Sequence, residues 1–277
     1  MATAPSPAGL SVGKALQDGW QVFRRNPWPF VFFALFAFVL STAVDLIPGL
    51  PRIPRLIISS LVNLWATVGL IRGAWQGLNS TSVRFGDLIR VNGPALWRLF
   101  SRQLVLALPL SLFSSAVLLL AATAIGKREL VESLYLQLLV TDPANSEAIS
   151  TLIPQMQNLT LMLISNPIAL LVTLGGTMVV VYVQVNQAFL GFLAVVQGLG
   201  PIATIREGFS TVRSDWWQVL GLLVLQTLIL LLGAIACGFG LLAAIPVVAC
   251  STASAYRQLF GAGTETGDGG CNNSQNS

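Results

Sequence analysis

Apolar residues in this chain come in long blocks separated by short polar stretches, and the blocks have the length of membrane spans. A helix rises about 1.5 Å per residue, so crossing a hydrocarbon core about 30 Å thick takes roughly 20 apolar residues. Six segments meet or approach that length. The first runs from Pro27 to Ile47, and a shorter second from Ile53 to Ile71 carries Asn63. The third covers Leu104 to Ile125, with a kink predicted at Pro109. The fourth begins at Pro167 and stays apolar to Val196, longer than a bilayer requires. Trp216 to Ala236 and Gly238 to Tyr256 are the fifth and sixth, joined at Cys237-Gly238 into an antiparallel hairpin.

Two stretches break the block pattern and read as amphipathic helices. SVGKALQDGWQVFRRNPW (11–28) and GPIATIREGFSTVRSDWW (200–217) align at an offset of 189. Leu16 falls on Ile205, Gly19 on Gly208, Trp20 on Phe209 and Phe23 on Val212. Arg24 then falls on Arg213, Asn26 on Asp215 and Trp28 on Trp217. In the first copy Val12, Ala15, Leu16, Gly19, Trp20 and Phe23 keep the spacing that lines one helix face. Lys14, Gln17, Asp18, Gln21, Arg24 and Arg25 occupy the other face, and Ser11 is the expected N-cap. Asn26-Pro27 and Ser214-Asp215 break each helix and start the next. Each copy precedes a pair of spans, giving repeat units 11–75 and 200–257 that enter from the same side, a parallel repeat. A third, poorer echo, RFGDLIRVNGPALWRLF (84–100), precedes the third span but lacks the Gly-aromatic step.

Charge sharpens this picture. Charged residues are 9% of the chain, against roughly 25% in a soluble domain, while hydrophobic residues are 54%. Too few charges remain to cover a water-exposed surface, which places the chain in the membrane class. Outside the spans, one side holds Lys14, Arg24, Arg25, Arg72, Arg84, Arg90, Arg98, Arg102, Arg206, Arg213 and Arg257. The other holds only Arg52, Arg55, Lys127 and Arg128. The richer side is expected in the cytoplasm with both termini, as in a bacterial inner membrane. The same asymmetry explains the net charge of +4 without nucleic acid. Trp28, Trp216 and Trp217 fall at cytoplasmic span ends, where amphipathic rings sit at headgroup level. The first span is too long for a signal-peptide core and no A-x-A site follows it, so it is expected to be retained.

With these motifs in place, the chain resembles a family of bacterial integral membrane proteins related to the membrane domain of glycerophosphoryl diester phosphodiesterases. The resemblance rests on Gly19-Trp20 with Asn26-Pro27-Trp28, and on Gly208-Phe209 with Asp215-Trp216-Trp217. It rests also on CGFGLLAAIPVVACSTASAYRQLF (237–260), with its Gly-rich turn, mid-span proline and terminal Ala-Tyr-Arg. It covers most of the chain except 126–165 and the tail, and implies a fold. No phosphodiesterase domain follows these spans, so that activity is not expected here.

Candidate chemistry is sparse. There is no histidine, no G-x-S-x-G, no phosphate loop and no paired carboxylates at one depth, so no enzyme active site is expected. Cys237, Cys250 and Cys271 have no metal-ligand or CxxC spacing, and no cofactor is expected. Asp45 is expected to pair with Arg52 or Arg55 in the adjoining turn. Uncharged polar residues in the spans are the stronger signal: Asn63, Gln184, Asn186, Gln187 and Gln226, with Tyr182 and Thr227 beside them. Amides facing lipid are unfavourable, so these should point inward, either bonding between helices or lining a polar pocket. Residues 126–165 should form two short helices on the non-cytoplasmic side, where Asn158 is the one sequon open to glycosylation, and 261–277 has the composition of disorder.

The expectation is therefore an all-α integral membrane protein: one polytopic domain over 1–260, with about six transmembrane helices, interfacial amphipathic helices and two parallel-repeat hairpins. Trp20, Arg24, Trp28, Phe209, Arg213 and Trp217 would form an interfacial collar that binds lipid, or that merely anchors span ends. Two functions fit. One is a non-enzymatic scaffold or accessory protein whose partners are the lipid bilayer and a membrane protein or a second copy of itself. The other is a small-solute or lipid transporter using a polar pocket on the fourth span.

Overall fold

Asparagine followed closely by proline opens three of the long helices. Asn26 precedes Pro27, Asn92 precedes Gly93-Pro94, and Asn166 precedes Pro167. Proline has no N–H to lose and its fixed φ suits the first helical turn. Asn166 Oδ1 accepts the backbone N–H groups of Ile168 and Ala169, both at 3.0 Å, and Asn92 Oδ1 accepts that of Ala95 at 3.3 Å. These are N-caps that satisfy donors the helix leaves open.

The computed structural model describes residues 9–47, 51–79, 82–141, 146–197, 201–236 and 238–261. Cys237, Cys271, the tail beyond Gly261 and the side chain of Arg52 lie outside the described residues. The helices are α1 (Val12–Arg25), α2 (Pro27–Asp45), α3 (Arg52–Asn79), α4 (Phe85–Ile89), α5 (Gly93–Ala124) and α6 (Arg128–Val140). They continue as α7 (Ser146–Ser165), α8 (Pro167–Asn186), α9 (Leu190–Phe192), α10 (Pro201–Val212), α11 (Trp216–Ile235) and α12 (Phe239–Phe260). A π-helical turn, Leu193–Gln197, follows α9, and a 3-10 turn, Arg213–Asp215, leads into α11.

No strand occurs among the described residues, and six helices are long and apolar enough to cross a membrane: α2, α3, α5, α8, α11 (with α10 running into it) and α12. Their outward faces carry Phe38, Leu112, Leu171, Met178, Leu232 and Phe239, each more than half exposed. An apolar girdle of that extent suits lipid and not water. The chain is an all-α integral membrane protein.

Half of the apolar window of α12 is buried, against 6% for α5, so α12 is the central post and α5 a peripheral one. Small residues on α12 permit this. Ala244, Ser251, Ala253, Ser254 and Ala255 are buried, and α1, α2, α3 and α11 pack around it. The core is aromatic near the end of α12: Tyr256 stacks on Phe260 (centroids 4.8 Å) and Phe192 (5.5 Å), with Trp75 edge-on at 5.6 Å. A second, smaller cluster joins α6 and α7 to the far ends of α5 and α8 through Ala121, Val131, Leu134, Leu152 and Leu163.

Several helix bounds depart from those expected. The apolar block predicts a second span ending at Ile71, yet α3 continues to Asn79; the third is expected from Leu104, yet α5 begins at Gly93. Helix ends follow caps and backbone bonding, not hydropathy, so both helices project polar turns past their apolar segments. The fourth block reads as one span to Val196, but α8 stops at Asn186, and the apolar residues after it form α9 and the π turn.

Candidate functional site

The polar N-terminal helix α1 is seated on the last turns of α12. Its buried face is Ala15, Gly19, Val22 and Phe23. Gly19 lies against the Ser251 backbone, where an added Cβ would stand 2.5 Å from the Ser251 nitrogen. Trp20, expected on the apolar face in lipid or against the spans, is 51% exposed at the rim of this contact, which is centred on glycine. Asp18, expected on the solvent face, accepts a hydrogen bond from Ser254 Oγ at 3.0 Å, and Arg257 Nη2 lies 3.8 Å from the same oxygen. Ser11 N–H donates to Gln258 Oε1 at 2.9 Å. Lys14, Gln17, Arg24 and Arg25 remain exposed.

The matching helix α10 is seated elsewhere. Gly208 faces the backbone carbonyl of Asn186 and the Leu190 side chain. Phe209 packs near Tyr182 (6.4 Å), which also stacks on Trp216 (6.1 Å). The two glycines aligned by sequence, Gly19 and Gly208, each mark a close crossing, but α1 crosses α12 whereas α10 crosses the end of α8.

Residues that break one helix and start the next also tie distant segments together. Asn26 Oδ1 accepts the N–H of Val83, two residues before α4, at 3.3 Å. Asp215 Oδ1 accepts the N–H of Leu10, two residues before α1, also at 3.3 Å. Val83 and Leu10 are each 4% exposed and occupy the same position relative to the following helix. The 84–100 stretch therefore supplies a third short helix, α4, and a third break at Asn92 before α5. All three lie at one end of the bundle. Around that end Trp28 (67%), Trp97 (69%) and Trp217 (77%) project outward, with Arg24 and Arg213 also exposed.

The span amides are not gathered in one place. Asn63 lines a cleft of about 340 Å³ between α3 and α5, with Ser60, Thr67 and Gln103. Gln184 lines a different cleft, of about 250 Å³ between α8 and α11, apolar except for Thr227. Gln226 is 5% exposed, and its Nε2 donates to Thr252 Oγ1 at 3.0 Å, between α11 and α12. Asn186 is 1% exposed; its Nδ2 donates to the Tyr182 carbonyl at 2.7 Å while its Oδ1 has no partner. The Gln187 N–H closes the end of α8 on the Val183 and Gln184 carbonyls, both at 3.1 Å. Residues 184, 186 and 187 sit in or just past the last turn of α8, and 100° per residue points them to different neighbours. At the far end Asp45 accepts from Ser59 Oγ at 3.2 Å.

The apolar blocks place Arg98 and Arg102 in the loop before the third span. Both lie inside α5 one turn apart, and Arg102 is only 4% exposed. A signal was present: Ala95, Leu99, Arg102 and Leu106 share one helix face, and three of the four are apolar. Among the described residues no three His, Cys, Asp or Glu side chains come together as metal ligands. No family model, curated protein or solved structure matches this chain.

Proposed function

We propose that this is a non-enzymatic scaffold or accessory protein of a bacterial inner membrane, with both termini cytoplasmic, that holds lipid and partner helices through the collar end of its bundle. The observation that carries the reading is the outward display of Trp28, Trp97 and Trp217 beside exposed arginines, each at the start of a span. Amphipathic rings and cations in that arrangement suit a headgroup layer rather than a packed core. The excess of Lys and Arg at this end supports its placement in the cytoplasm. A second reading, transport, is favoured by one feature, the polar cleft of Ser60, Asn63, Thr67 and Gln103.

Sided thiol labelling separates the two. Single cysteines at Asn63 and Gln184 in a cysteine-free chain are treated in sealed vesicles with a membrane-impermeant maleimide. Controls at Gly86 and Glu129, exposed at opposite ends, report sidedness. Controls that react while Asn63 and Gln184 stay unlabelled from both sides support the scaffold. Labelling at Asn63 that a solute blocks replaces it with the transporter.

A further inference from the structure

We propose that Arg98 and Arg102 on α5 form a binding site for an anionic phosphate, supplied by the headgroup of an acidic phospholipid. Arg102 is 96% buried by the complement of its 4% exposure, yet its Nε and Nη1 donate to nothing. Arg98, one turn nearer the collar, is half-buried with its Nε likewise without a partner. Neither forms an ion pair among the described residues, unlike Arg128 with Glu132 and Arg257 with Asp18. A guanidinium stays charged under all physiological conditions, so Arg102 cannot relieve its burial by losing a proton. Removing an uncompensated charge from water is among the most unfavourable arrangements in a fold, and a counter-anion relieves it.

Two further observations select the anion. Arg102 stands nine residues past Gly93, about 14 Å along the helix, just inward of the exposed Trp97. Phosphates of a lipid leaflet are the concentrated anions at such a depth, and guanidinium N–H groups match their oxygens. Leu64, packed in one cluster with Leu99 of the Arg102 face, also lines the adjoining α3–α5 cleft of about 340 Å³. That cleft opens on the neighbouring face of α5, at Phe100, Leu104 and Ala107 beside the polar Gln103, and neither arginine lines it, so it offers room to an acyl chain and not to the headgroup itself. The site deepens the lipid-binding reading above and rests on it for the ligand class.

The test uses the full chain in phosphatidylcholine nanodiscs, with thermal unfolding followed as phosphatidylglycerol is added or as inorganic phosphate is added instead. Wild type is expected to gain stability with phosphatidylglycerol. Arg98→Gln should shift the half-maximal dose by about tenfold, the size of one charge-assisted hydrogen bond. Arg102→Met should abolish the response while leaving the protein at least as stable in pure phosphatidylcholine, since it removes a buried unpaired charge. The exposed Arg25→Gln should respond as wild type does. A response to inorganic phosphate that Arg102→Met removes keeps the site and makes free phosphate its source. A wild type indifferent to both additions overturns the proposal, as does Arg102→Met with an undiminished response; where Arg102→Met does not fold, Arg98→Gln with an unshifted half-maximal dose overturns it. A collar that still embeds in lipid while this response is absent would leave the scaffold reading standing without the site.

Discussion

Asp18 Oδ2 accepts a hydrogen bond from Ser254 Oγ at 3.0 Å across 236 residues of sequence. The bond fastens the first helix to the last, and Arg257 approaches the same oxygen at 3.8 Å while its Nη1 donates to the Leu78 carbonyl at 3.3 Å. Asp18 thereby links α1 with α12, and Arg257 extends the link to α3. Asp18→Ala should lower stability by about 1–2 kcal/mol, mostly through Ser254, which is left buried without its acceptor. The ion pair adds little, since the pair is long and its side chains are 24% and 35% exposed. Asp18→Asn keeps an acceptor and should cost less than half as much. Thermal unfolding in a mild detergent measures both; equal losses would assign the effect to charge instead.

Gly19 should tolerate no side chain, whereas Gly13 on the same helix should welcome one. A Cβ at Gly19 would stand 2.5 Å from the Ser251 nitrogen and 2.6 Å from its Cα, and backbone on both sides cannot yield cheaply. At Gly13 nothing lies within 4 Å. Gly13→Ala should stabilise by about 0.5–1 kcal/mol through helix propensity. Gly19→Ala should destabilise and raise protease sensitivity in α1. Limited proteolysis of the two variants, with mass mapping of the cuts, checks the contrast.

Gln226 and Thr252 provide a test of the amides as structural elements. Their hydrogen bond is 3.0 Å long, and Thr252 Oγ1 itself donates to the Val248 carbonyl at 2.8 Å. Gln226→Leu and Thr252→Val should each cost on the order of 0.6–2 kcal/mol, and the double variant clearly less than their sum. A strictly additive double-mutant cycle in equilibrium unfolding would mean that the two side chains do not act together.

The same pairs show how far the sequence could be read. Six apolar blocks and the Asn26-Pro27 break were legible because hydrocarbon burial and proline's fixed backbone are local rules that leave a pattern in one segment. The seat of α1 was not. Its Trp20 and Asp18 were assigned to faces by period alone, while the real face is set by Ser251 and Ser254, more than 230 residues away. The amides were legible as unusual but not as partners. Gln226 meets Thr252, whereas Asn63 and Gln184 turn to separate clefts, and only tertiary packing decides which. Arg102 was hidden because a charge beside an apolar block reads as its boundary, although helix α5 had already begun nine residues earlier.

The tryptophans give the most direct measure of how the bundle sits in a bilayer. Trp28, Trp97 and Trp217 are 67%, 69% and 77% exposed at the starts of α2, α5 and α11. Trp65, by contrast, lies between Phe33 (5.1 Å) and Phe36 (6.0 Å) and donates through Nε1 to the Ile89 carbonyl at 3.0 Å. Trp75 packs edge-on against Tyr256. Variants retaining one tryptophan each, reconstituted with lipids brominated at stepped positions along the acyl chain, should divide into two groups. The three exposed rings should be quenched most by bromine nearest the carbonyls and progressively less by deeper bromine, since amphipathic rings rest at headgroup level. Trp75 should be quenched less than these three at every depth, because it is partly buried and packs edge-on against Tyr256. Strongest quenching of Trp28 or Trp217 by the deepest bromine would move this end of the bundle inside the hydrocarbon, and the collar would then be a packing face for another protein instead of a contact with headgroups.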